Sequence, residues 1–254
     1  MEEKLRRIRL IVEYDGTSYS GWQRQENAMT VQQKLEEAIR KLTGEESLTI
    51  TGASRTDAGV HALGQNVHFD TCSRIPADKF CFALNTMLPD DIRVNASMEA
   101  DSSFHARFST KGKEYRYLIY AHPHASALYR NQSAHVIYPL DVALMNREAQ
   151  AAVGTHDFAP FAASGSVVKD TVRTIVSVNV TENAPFIELR VKGNGFLYNM
   201  VRILAGTLIG VGSGKIEPGA IARALESGSR LDLGVTAPPQ GLTLMRVFYG
   251  EDQW

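Results

Sequence analysis

RIRLIVEY, residues 7–14, sets the reading of the fold: Ile8, Leu10, Val12 and Tyr14 fall at every second position among mostly polar neighbours, and Asp15 and Gly16 follow as turn residues. A period of two puts one set of side chains on one face, so the stretch reads as a strand with one face buried and the other wet. Such a strand needs partners, and the chain supplies them. Residues 48–54, a segment through Val67 and Phe69, and 92–98 read as strands, as do the alternation Tyr115, Tyr117, Ile119, then 174–180, 187–191 and the final 244–249.

Helices are expected between them. Thr30 is a good N-cap with Gln33 three residues on; Val31, Leu35, Ala38, Ile39 and Leu42 mark one face, and Gly44 stands just past the end. Further helices are expected over 80–87, from the cap Asp141 to Gly154, and over 196–208, where Phe196, Met200, Ile203, Leu204 and Leu208 keep helical spacing. Consecutive strands with helices able to cover one face make an α+β fold with an antiparallel sheet. The polar run SFHARFSTKGK (103–113) separates two sets of elements of similar plan, so two domains are expected, 1–108 and 109–254.

A chain of 254 residues with 44% hydrophobic content can bury a sizeable core, which excludes a disordered protein. Its net charge of −1 removes whole-molecule attraction to nucleic acid, so any RNA affinity must come from basic groups gathered locally. Cys72 and Cys81 are the only cysteines and form no CxxC pair, which suits a reducing compartment and argues against zinc. His61 and His68 lack ligand spacing, so no metal is expected. The start MEEKLRRIRL has no apolar core of signal-peptide length, and no stretch is long and apolar enough to span a bilayer; a cytoplasmic protein is expected.

GASRTDAGVHALGQ (52–65) carries the chemistry. A strand delivers Arg55, Thr56 and Asp57 into a turn that Ala58 and Gly59 make possible, and the small neighbours let a planar substrate approach the Asp57 carboxylate. Asp before Ala-Gly is also ordinary turn chemistry, and a neighbouring Arg is often a surface ion pair; the residues alone leave both readings open. His105, Arg107, Lys111, Lys113 and Arg116 stand against the single acid Glu114, a local excess that fits an RNA contact or a solvated linker. Gly210, Gly212 and Gly214 imitate a dinucleotide loop, but they follow a helix instead of bridging strand to helix.

The 52–65 segment resembles the signature of the tRNA pseudouridine synthase A family around its catalytic aspartate. Further segments are similar to the family in the expected order: EYDGTSYSGWQRQ (13–25), FHARFSTKGKEYRY (104–117), GFLYNMVRILAG (195–206) and APPQGLTL (237–244). Ser54 departs from the Gly of many relatives and is still small. The resemblance implies two α/β halves with mainly antiparallel sheets joined across a central cleft, a homodimer, and isomerisation of uridine to pseudouridine at tRNA positions 38, 39 and 40 without a cofactor.

The resemblance also assigns roles. Asp57 becomes the nucleophile, attacking either the uracil ring or the ribose. Arg202 becomes the cation that keeps a buried carboxylate ionised, although by pattern alone it is a helix arginine reaching solvent. Tyr115 becomes the ring that holds the extruded base, although with Tyr117 and Ile119 it also fits a core-facing stripe. Arg24, Arg55, Arg107, Lys111, Lys113 and Arg116 are the candidate RNA contacts. Two rivals stand beside this reading: a glycoside hydrolase, which would recruit a second carboxylate such as Asp15 or Asp70, and an RNA-binding protein without chemistry.

Overall fold

A computed structural model of the chain describes residues 5–163 and 170–250, in two compact units. The first runs to Lys111 and takes back Leu244–Tyr249; the second is Gly112–Thr243.

In the first unit β1 (Arg6–Tyr14) alternates as expected, with Ile8, Leu10, Val12 and Tyr14 buried. It lies antiparallel between β3 (His61–Thr71) and β4 (Ile92–Ala100), while β2 (Thr51–Gly52) and the returning strand Leu242–Phe248 also adjoin β3. Helix α1 (Val31–Thr43) has the expected ends: Thr30 Oγ1 accepts from Gln33 N at 3.3 Å, and Gly44 turns left-handed at φ 76°. It packs beside α2 (Phe80–Asn85), whose Phe80 meets Phe69 edge-on at 5.6 Å.

The strand expected over 48–54 shrinks to two residues because side chains take its backbone bonds. Ile50 N donates to Glu36 Oε1 at 3.3 Å, and Gln65 holds Ser54. β3, by contrast, begins at His61, inside the segment read as a polar loop. α2 stops at Asn85, two residues short of the expected Met87, and Asn85 binds both backbone groups of Val94, at 2.8 and 3.0 Å.

In the second unit β5 (Gly112–Ala121) pairs with β9 (Phe186–Gly193), followed by β8 (Val172–Asn183) and β7 (Gly154–Asp157), all antiparallel; β6 (Ala134–Val136) runs parallel to β5. Asp141 Oδ1 accepts from Leu144 N at 2.8 Å and caps α3 (Val142–Ala149) as expected, but Gly154 opens β7 instead of closing that helix. Helix α4 (Met200–Gly212) starts four residues later than its spacing suggests, since Asn199 sits at φ 62° and breaks the helical path. Leu197 therefore reaches the core from a loop, beside half-buried Phe196.

The sequence reading has no counterpart of α5 (Ala220–Ser227), whose first turn is capped from a distance: Glu148 accepts from Gly219 N at 2.7 Å and Ile221 N at 2.8 Å. With Leu242–Phe248 as β10, the chain is α+β with mainly antiparallel sheets. Gly210 and Gly212, read from the sequence as following a helix, lie within α4 against Ile216 and Met145. Among the described residues no helix is long and apolar enough to cross a membrane.

Candidate active site

In the first unit, Asp57 stands half-buried between buried Thr56 and exposed Ala58. Its carbonyl accepts from Val60 N at 3.1 Å, closing a turn in which Gly59 takes φ 76°, a backbone state that side chains disfavour. The segment 13–25 braces this turn from outside. Trp22 N donates to Thr56 O at 3.0 Å, Gly59 N donates to Tyr19 O at 3.3 Å, and the Tyr14 hydroxyl lies 2.7 Å from Thr56 Oγ1. Gly21, at φ 92°, brings its backbone so close that a Cβ there would lie 2.7 Å from Thr56 O.

The other side of the loop is fixed by fully buried Gln65. Its Oε1 accepts from Ser54 N at 3.1 Å and its Nε2 donates to Ser54 O at 2.7 Å, so an amide side chain mimics a strand neighbour. The Ser54 departure is thereby accommodated: the clamp uses only backbone atoms. Tyr14, Gly21 and Gln65 are positioning residues that the sequence reading missed. The one local sign was the glycine in SGW, where a Cβ would meet the backbone of Thr56.

The carboxylates that a hydrolase would recruit are in structural use. Asp70 binds Arg7 through both oxygens at 2.7 Å, and the Arg7 guanidinium holds its carboxyl below the usual range. Asp15 accepts from the backbone and hydroxyl of Thr17; burial pushes its pKa up, but those bonds and His61 outweigh it and leave it lowered. His61 and His68 serve as backbone acceptors, for Gly16 N at 3.0 Å and Ala106 N at 3.1 Å.

In the second unit, Tyr115 is buried on the same face of β5 as Tyr117 and Ile119 and meets Phe196 edge-on at 5.2 Å. Arg202 occupies the first turn of α4, where Nε donates to Ala237 O at 2.8 Å and Nη1 to Asn199 Oδ1 at 2.7 Å. Ala237 N returns a bond to Arg202 O at 3.1 Å. The guanidinium is thus aimed by two residues, Asn199 and Ala237, instead of trailing into solvent. Burial raises the pKa of Tyr117, opposed by the Arg202 charge, and the phenol donates to Pro238 O at 2.8 Å. The segments 195–206 and 237–244 meet at these contacts.

The basic residues are divided between the two units. Arg24 Nη1 lies 2.9 Å from Glu36 Oε2, so it offsets a buried carboxylate that Arg40 also approaches, at 3.5 Å. Arg55 and Arg107 are exposed, and Arg107 is pushed below its usual pKa by burial and then by the Arg55 charge. Lys111 ends the first unit, whereas Lys113 and Arg116 lie in β5 on opposite faces, Arg116 across from Arg190.

Comparison with known proteins gives this geometry its chemical class. A family model described as tRNA pseudouridine synthase matches residues 10–109 and 149–250. The chain is 52% identical over 245 residues to tRNA pseudouridine synthase A of Acetivibrio thermocellus, covering 96% of this chain and all of that protein. The corresponding proteins of Ruminiclostridium cellulolyticum and Thermoanaerobacter sp. are 52% and 48% identical, again over 96% of this chain and their whole length. Such chains are isomerases. This one belongs to the tRNA pseudouridine synthase family. The Asp57 loop and Arg202 fall within the matched residues; Tyr115 falls between them.

Proposed function

We infer that this chain isomerises uridine to pseudouridine in the anticodon stem-loop of tRNA, at positions 38, 39 and 40, with Asp57 as the nucleophile. The observation that carries this reading is the braced loop: Asp57 is presented by a turn clamped on one side by Gln65 and on the other by Tyr14, Gly21 and Trp22. Full-length identity to tRNA pseudouridine synthase A proteins supports the substrate.

The bond from N1 to the ribose breaks, the ring turns, C5 bonds to the ribose, and one proton passes from C5 to N1. The overall change is neutral in electrons and adds no group, so the chemistry calls for no cofactor. A carboxylate forms the covalent intermediate that divides this step into easier ones, and Asp57 supplies it. Arg202, held by Asn199 and Ala237, supplies the positive charge that favours the ionised carboxylate. Tyr115 holds the extruded base; stacking worth about 1–3 kcal/mol offsets much of an extrusion cost of a few kcal/mol. Arg24, Arg55, Arg107, Lys111, Lys113 and Arg116 contribute to phosphate binding; Arg24, Arg55, Arg107 and Lys111 are exposed, and of these Arg24 also faces the Glu36 carboxylate. The enzyme acts as a cytoplasmic homodimer.

The test is incubation of purified protein with unmodified tRNA transcripts, followed by carbodiimide-dependent primer-extension mapping. Stops at positions 38 to 40 support the reading; product elsewhere corrects the position, and release of free uracil replaces isomerisation with hydrolysis.

A further inference from the structure

Phe108 is 77% exposed, yet it is not a loose side chain. Its ring stacks on His105, with centroids 4.3 Å apart and planes 30° apart, and Arg107 lies 5.7 Å from its centre. His105 is itself fixed. Its Nδ1 accepts from Arg107 N at 3.2 Å and Phe108 N at 3.1 Å, and its ring meets His68 edge-on at 4.9 Å. Ser109 N returns to His105 O at 2.9 Å, Thr110 donates to Ala106 O at 2.8 Å, and the Tyr249 hydroxyl donates to the same carbonyl at 2.8 Å. The turn therefore presents a flat, rigid aromatic surface to solvent.

Two cations flank that surface. Arg107 and Arg55 are both exposed, the Arg55 charge acts on Arg107, and among the described residues neither has a carboxylate partner. Paired guanidiniums without an acid favour an anion, and a phosphate takes both in charge-assisted bonds. Arg55 precedes Asp57 by two residues, at most about 7 Å of backbone. An aromatic face beside a phosphate grip, within one nucleotide of the proposed nucleophile, matches the chemistry of an unstacked nucleotide.

We propose that the Phe108 ring, backed by His105, is the stacking platform for one nucleobase flanking the isomerised uridine, whose phosphate is gripped by Arg55 and Arg107. This rests on the tRNA function inferred above and names the part of the substrate read by this turn. Flipping one nucleotide removes a stacking partner from its neighbour, and the platform replaces that partner.

The test is a thermodynamic cycle between Phe108→Leu and single abasic nucleotides placed in turn through the anticodon stem-loop of a tRNA transcript. Phe108→Leu is expected to melt like the parent and to bind intact tRNA about ten- to a hundredfold more weakly, with Phe108→Trp restoring affinity. At one position flanking the target, the abasic tRNA should bind parent and Phe108→Leu equally. Parent-like binding of intact tRNA by Phe108→Leu, strictly additive losses at every position, or failure of Phe108→Trp to rescue overturns the platform. Parent turnover measured alongside separates the two ideas: absent product refutes the inferred function and this inference with it, while normal product with an unaffected Phe108→Leu refutes the platform alone.

Discussion

Gln65 treats Ser54 as a sheet neighbour, binding its backbone N–H at 3.1 Å and its carbonyl at 2.7 Å from a fully buried side chain. The strand leading to Asp57 is thereby held by a side chain where a ladder of backbone bonds would ordinarily run. Replacing Gln65 by Leu strands two backbone groups, each worth about 1–3 kcal/mol when buried and unpaired. The variant is expected to lose about 2–4 kcal/mol in urea unfolding and most of its turnover. A parent-like midpoint would show that Ser54 finds other partners.

Gly21→Ala separates strain from collision. Gly21 and Gly44 share left-handed backbones, at φ 92° and 76°, but a methyl on Gly44 meets nothing within 4 Å while one on Gly21 meets Thr56 O at 2.7 Å. Both variants should lose about 1–2 kcal/mol of stability. Only Gly21→Ala should also lose turnover, by about tenfold or more, because Thr56 must move and Asp57 with it; that factor corresponds to 1.36 kcal/mol in the barrier. Equal turnover in the two variants would remove Gly21 from the site.

Arg202 is held through Nε and Nη1 at once, a two-pronged arrangement that an ammonium does not reproduce. Arg202→Lys is therefore expected to behave much like Arg202→Ala, with a large fall in single-turnover rate and a modest change in tRNA affinity. A defect confined to affinity would contradict the role proposed for it in sustaining the nucleophile.

His68 gives a pH signature. Burial, then the charges of Arg7 and His105, lower its pKa from 6.5 to about 4, against a smaller opposing pull from Asp70. Between those values the unfolded chain binds a proton that the folded chain refuses, so stability is complete above pH 6.5 and falls as pH drops towards 4. After allowance for solvent screening the loss is about 1–2 kcal/mol. Asp70, depressed beside Arg7, fades only below its ordinary 3.8 and lies outside this window. His68→Asn keeps an acceptor for Ala106 N and should flatten the pH dependence of the urea midpoint between pH 6.5 and 4. An unchanged slope would assign it to other groups.

What the sequence disclosed was local. Thr30, Gln33 and Gly44 announce α1 because the cap and stop lie within the helix they bound, and the alternation in 7–14 needs only its own period. Elements whose partners lie far along the chain were hidden. β2 is cut short by Glu36 and Gln65, 14 and 11 residues from the groups they bind, and α5 depends on Glu148, 71 residues before Gly219. The basic run 105–116 was read as one cluster, but a period of two in β5 sends Lys113 and Arg116 to opposite faces. At the site, Asp57 was visible through its resemblance, whereas the support from Gly21 and Tyr14 required the folded structure, since it depends on Thr56 lying against them, 35 and 42 residues along the chain.

The central claim is that Asp57 performs the covalent step. The most direct measurement compares parent and Asp57→Ala on the same unmodified tRNA transcript, with pseudouridine mapped by primer extension and tRNA binding measured in parallel. The expected result is no pseudouridine from Asp57→Ala at undiminished binding; turnover near the parent rate would contradict the account.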